Sequence, residues 1–160
     1  MYIKKILSIV LVIIFFFMTC HLVSLGNKNK RIEKNLESRI ISNIDRLNGT
    51  VKDLKLIKTK SDTSYAKELC AITLFAFDEY DVVNSKREPL YYLGKLVAAY
   101  QRNIYIIDEN GINDEIISKL EAIGKYLELF QDSDVNDFNK KVKFFNEKVY
   151  NDEMFENVTR

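Results

Sequence analysis

The chain opens on MYIKK and then runs through ILSIVLVIIFFFMTCHLVSL, Ile6 to Leu25, without a formally charged side chain. As a helix, a run of about 20 apolar residues crosses roughly 30 Å of hydrocarbon, so this stretch predicts an N-terminal transmembrane helix. From Asn27 the pattern turns amphipathic. Ile32, Leu36, Ile40, Ile44, Leu47, Val51, Leu54 and Ile57 recur three or four positions apart, which predicts a helix over 28–57 with one apolar face. Leu69, Ile72, Phe75, Ala76 and Tyr80 predict a second helix over 63–83, with Ser61 to Thr63 supplying its N-cap. NSKREP breaks that helix, and Pro89 is placed to open a third one, over 89–107. DENG, Asp108 to Gly111, reads as a turn. Ile116, Leu120, Ile123, Leu127 and Phe130 then lead to Phe138, Val142, Phe145 and Val149. The step from Phe130 to Phe138 keeps helical phase, so 113–152 is expected as one helix with a weak point at Asp134. Four amphipathic helices with short connections bury their stripes only against each other. The expected fold is therefore all-α: a membrane anchor in residues 1–26 and an antiparallel up-and-down four-helix bundle in 27–160.

Composition agrees with a folded helical protein. Of 160 residues, 47% are apolar and 29% charged, and one Pro with five Gly leaves few breaks between long helices. A net charge of +1 gives no basis for a nucleic-acid partner, which needs a concentrated basic surface. Cys20 and Cys70 are too few for a disulfide framework. The N-terminal run exceeds the roughly 7–15 apolar residues of a signal-peptide core, and FMTC lacks the small residues of a cleavage site. A retained single-pass anchor is the preferred reading; a lipoprotein signal with lipidation at Cys20 and a cleaved secretory signal are the alternatives. Lys4 and Lys5 favour an inside N-terminus, whereas Lys28, Lys30, Arg31 and Lys34 favour an inside bundle. Between Asn27 and Lys60 there are ten Lys/Arg against four Asp/Glu, read as a solvated face, with contact to anionic headgroups as the alternative.

Candidate chemistry is sparse. The one histidine, His21, lies at the end of the apolar run, so a paired-His metal site and a Ser-His or Cys-His mechanism are both excluded from the remainder of the chain. No phosphate-binding glycine loop, C-x-x-C or H-E-x-x-H is present. FDEYD brings Asp78, Glu79 and Asp81 together at a helix end, where carboxylates meet an unfavourable dipole. A small metal-dependent hydrolase built on these three is the enzymatic alternative; without a glycine-bearing calcium loop, a solvated acidic helix end is preferred. Cys70 is expected in the core as a small hydrophobe. In FNKKVKFFN, Phe138, Val142 and Phe145 share one face, and Asn139 and Asn146 follow at its edge. Amides there either hold helix registry or form a polar strip for a partner.

FNKKVKFFN also resembles the Y-N-x-x-V-x-x-Y-N signature of LemA family proteins, carried here by Phe138, Asn139, Val142, Phe145 and Asn146. Glu128, ten residues earlier, stands where those proteins carry a Glu. Upstream, IDRLNGTVKDL resembles their I-P-N-L-V-x-T-V-K-x-Y through Ile44, Leu47, Thr50, Val51 and Lys52, and Arg39 stands where the first of their paired arginines would be. Asp45 replaces the signature proline, Ile40 the second arginine, and the F-P-S-N tail is absent after Val149. The resemblance implies a bacterial membrane protein with one N-terminal anchor and an antiparallel helical bundle, and it implies no chemistry. The expected function is that of a membrane-anchored, non-enzymatic scaffold or interaction protein without a cofactor. Its expected partners are the lipid bilayer and other membrane or envelope proteins.

Overall fold

The computed structural model describes residues 2–53, 60–83, 90–132, 135 and 137–160, with side chains at 1–10, 12 and 60–62 left aside. The chain divides into two units, Met1–Asn35 and Leu36–Arg160. Helix α1, Tyr2–Lys52, belongs to both. It is followed by α2, Lys60–Val83, α3, Tyr91–Asn110, α4, Asp114–Gln131, α5, Phe138–Val149, and α6, Glu153–Thr159. Among the described residues there is no strand, so the chain is all-α and its second unit is a helical bundle.

In the first unit, Leu11, Ile13, Ile14, Phe15, Phe16, Phe17 and Met18 are all exposed. Consecutive residues step 100° around a helix, so apolar side chains cover every face of this stretch. The Thr19 hydroxyl is satisfied within the helix, donating to the carbonyls of Phe15 and Phe16 at 3.1 and 2.8 Å. Among the described residues no helix is long and apolar enough to cross a membrane. Ile6 to Val10 and Val12, which also belong to the expected span, lie outside the described side chains.

The second unit is built as the stripes require. Ile40, Ile44 and Leu47 of α1 join Leu69, Phe77 and Tyr80 of α2, Leu93, Leu96 and Tyr100 of α3, and Leu120, Ile123 and Leu127 of α4 in one core. Lys67 pairs with Asp108, and Asp81 accepts from the Leu90 backbone N–H, so α2 and α3 run antiparallel. Lys52 meets Glu128 while Asp45 meets Gln131, so α1 and α4 are antiparallel as well. Helix α3 packs against α2, α4 and α6, and α4 also packs against α5 and α6.

Several boundaries differ from the sequence reading. The single helix expected over 113–152 is two helices, α4 and α5, with α6 following beyond it, and an aspartate starts each of the last two. The Asp137 carboxylate accepts from the Lys140 N–H at 3.0 Å. Past α5 the chain leaves helical geometry at Tyr150 and Asn151, the latter at φ 64°. The Asp152 carboxylate then accepts from the N–H groups of Met154 and Phe155 at 2.9 and 3.2 Å. Among the described residues there are thus six helices where an anchor plus four was expected, and the weak point at Asp134 lies outside them. Helix α2 starts at Lys60, so Thr63 lies inside it and donates to Asp108 of α3 rather than capping. Asp108 to Asn110 continue α3, and the turn begins at Gly111, whose φ 78°, ψ 179° belongs to a region open essentially to glycine alone. Leu54, Ile57 and Pro89, expected in the first and third helices, lie outside the described residues. Ile72 and Phe75, expected in the core, are 41% and 58% exposed. The buried stripe of α2 runs instead through Ala66, Leu69, Cys70, Thr73, Ala76, Phe77 and Tyr80. Thr73 is tolerated there because its hydroxyl donates to the Leu69 carbonyl at 2.6 Å.

Candidate functional site

The residues picked out by the family resemblance gather mainly along two seams. In the first, α1 meets α4. Lys52 reaches Glu128 at 2.8 Å, and that hydrogen bond holds the ammonium above its ordinary pKa. Asn48 donates from Nδ2 to Gln131 Oε1, and Gln131 donates from Nε2 to Asp45, each at 2.6 Å. Lys141 of α5 donates to the Gln131 carbonyl at 2.8 Å, tying a third helix to the same point. The helices come this close because residue 124 is glycine: a Cβ there would lie 2.8 Å from Val51 Cγ1. Beside this contact is an open groove of about 350 Å³ lined by Val51, Lys52, Ile117, Glu121, Lys125 and Glu128, with Asn48 at its inner edge. Asn48 is 4% exposed, and its Oδ1 accepts no hydrogen bond among the described residues. The groove thus offers two carboxylates, two ammonium groups and one amide oxygen around an apolar floor.

Ile44 and Leu47 are core residues on the other side of the same helix turns. Thr50 gives its proton to the Leu47 carbonyl at 2.7 Å, which leaves the Tyr100 hydroxyl as donor in their 2.8 Å contact. Burial raises the Tyr100 pKa, and it pushes the Cys70 thiol up to about 12, as expected of a core cysteine.

The second seam joins α5 to its neighbours. Phe138, Val142 and Phe145 are buried, and Asn139 and Asn146 are half-buried at the edge of that face. Asn139 accepts from the Tyr80 hydroxyl at 2.8 Å, while Tyr80 and Phe138 meet edge to face at 5.1 Å between ring centres. Phe130, Phe138, Phe145 and Phe155 continue this ring stack from α4 through α5 to α6. Phe155 escaped the sequence reading, although the Asn151-Asp152 pair ahead of it is a helix-start signal. Asn48, Gln131 and Gly124 were missed too; Asn48 and Gln131 are far apart in sequence, and no local pattern joins them.

The acidic trio is not assembled into a site. Arg39 takes Glu79 at 3.3 Å, Asp78 is exposed, and Asp81 is turned to the Leu90 N–H, its pKa raised chiefly by burial. Among the described residues no group of His, Cys, Asp and Glu is disposed to hold a metal ion. Cys20 is exposed on α1, in the first unit.

No family model, no curated protein and no solved structure matches this chain.

Proposed function

We propose that this chain is a single-pass membrane-anchored helical interaction protein of LemA type, held in the bilayer by the apolar part of α1. The observation that carries the anchor is the stretch Leu11 to Leu25, uncharged and helical, with large apolar side chains outward on every face. A helix apolar all round is stable only inside a protein or a membrane, and each large side chain left in water forfeits about 1.5–3 kcal/mol. Ile6 to Val10 extend the uncharged run to the length a bilayer requires. Lys28, Lys30, Arg31 and Lys34 follow within about two and a half turns, where cations meet headgroups. The interaction role draws on the seams: Lys52 with Glu128 and Asn139 with Tyr80 bring the residues of the family resemblance into contacts between helices.

Fractionation tests the anchoring. The full chain is expected in the membrane pellet after alkaline carbonate and in the supernatant after detergent, and a chain lacking residues 2–26 in the supernatant throughout. Release of the full chain by carbonate alone would contradict the anchor. The exposed Cys20 favours one variant of the reading, a lipidated anchor; Cys20→Ser separates the two, since a purely helical anchor leaves its pelleting unchanged.

A further inference from the structure

Helix α2 is apolar on two faces. Its inner stripe is spent in the core, whereas Tyr65, Ile72, Phe75 and Val82 are exposed, Val82 by 83%. With Glu68 and Glu79 they fall at positions 65, 68, 72, 75, 79 and 82, alternating steps of three and four. That is the spacing of a coiled-coil seam, carried over about 26 Å of helix. A second apolar seam on a helix already packed on its other side leaves a face that fits one further helix.

The polar positions say what kind of helix. Glu68 and Asp78 are exposed and make no ion pair among the described residues, and Glu79 is taken by Arg39 from the side. Two copies of this face would set Glu68 against Glu68 or Glu79, and like charges directly opposed disfavour that pairing. An anionic lipid surface is repelled for the same reason. From the heptad spacing and the acidic flank we infer that the outward face of α2 is a docking site for a basic amphipathic helix of another protein, its Lys or Arg side chains meeting Glu68 and Asp78. A partner docking here presupposes the interaction role proposed above, whereas anchoring is read from fractionation, so the two fail separately.

The chain contains no Trp, so a single Trp in a synthetic peptide reports binding without background. Two helical peptides with leucine at seam positions, one flanked by lysine and one by glutamate, are titrated with the full chain in detergent. The lysine-flanked peptide is expected to bind at least about tenfold more tightly. Phe75→Ser is expected to weaken it by about tenfold or more without changing the thermal melt, because the side chain removed is largely exposed. Glu68→Lys combined with Asp78→Lys is expected to reverse the preference, a readout that does not depend on truncating the apolar seam. Equal binding of the two peptides, or binding indifferent to Phe75→Ser, overturns the docking site. Self-association of the full chain that disappears in Phe75→Ser overturns the occupant, since a second copy would then fill the face.

Discussion

Gly124 and Val51 set how closely α1 and α4 approach, and a methyl group at 124 would sit 2.8 Å from Val51 Cγ1. Gly124→Ala is therefore expected to destabilise the bundle by about 1–3 kcal/mol in urea melts, with Val51→Ala in the same chain recovering part of the loss. Asn139→Ala removes the acceptor of the Tyr80 hydroxyl and should cost about 1–2 kcal/mol, the signature of a registry residue rather than a solvent-facing one. Cys70 makes a prediction in pH. Its folded pKa is raised to about 12 from an ordinary 9.0, so the unfolded thiol ionises first as pH rises. The stability it contributes is complete below pH 9.0 and is lost as pH climbs towards 12. Tyr100, raised by burial as well, adds to the same alkaline limb. Melting temperature should fall across that window, and less steeply in Cys70→Ala. At this scale the edge position of Asn139 was legible, because it depends on the spacing from Phe138. The Asn48 to Gln131 contact was not, because it arises only once α4 lies against α1.

Elements were read well where they are made by periodicity and poorly where they are ended by single side chains. The stripe from Ile116 to Val149 keeps helical phase, and phase is all that a hydrophobic period reports. What divides the segment is cap chemistry at Asp137, and Asp152 starts α6 beyond it. Removing either cap is expected to cost about 1 kcal/mol. Asp152→Ala should cost more than Asp137→Ala, since Asp152 also accepts from the Tyr126 hydroxyl at 2.9 Å and so ties the start of α6 to α4. Urea melts of the two single variants give the order. The inner and outer faces of α2 posed a different difficulty. Leu69, Ile72, Phe75 and Ala76 are all apolar, and only the pairing of α2 with α3 decides which of them turn inward.

On the scale of the whole molecule, an all-α bundle follows from stripes that would otherwise stand in water, and that much was legible in the residue pattern. The proposed membrane anchor rests on a different balance, a stretch of α1 in the first unit that turns phenylalanine and leucine outward. Since the chain has no Trp, Phe16→Trp places a single, selectively excitable tryptophan in the middle of that run. The full-length variant in lipid nanodiscs is compared for quenching by acyl-chain-brominated lipid and by aqueous iodide. Anchoring by α1 predicts strong quenching by the brominated lipid and almost none by iodide; efficient quenching by iodide with none by the lipid would contradict it.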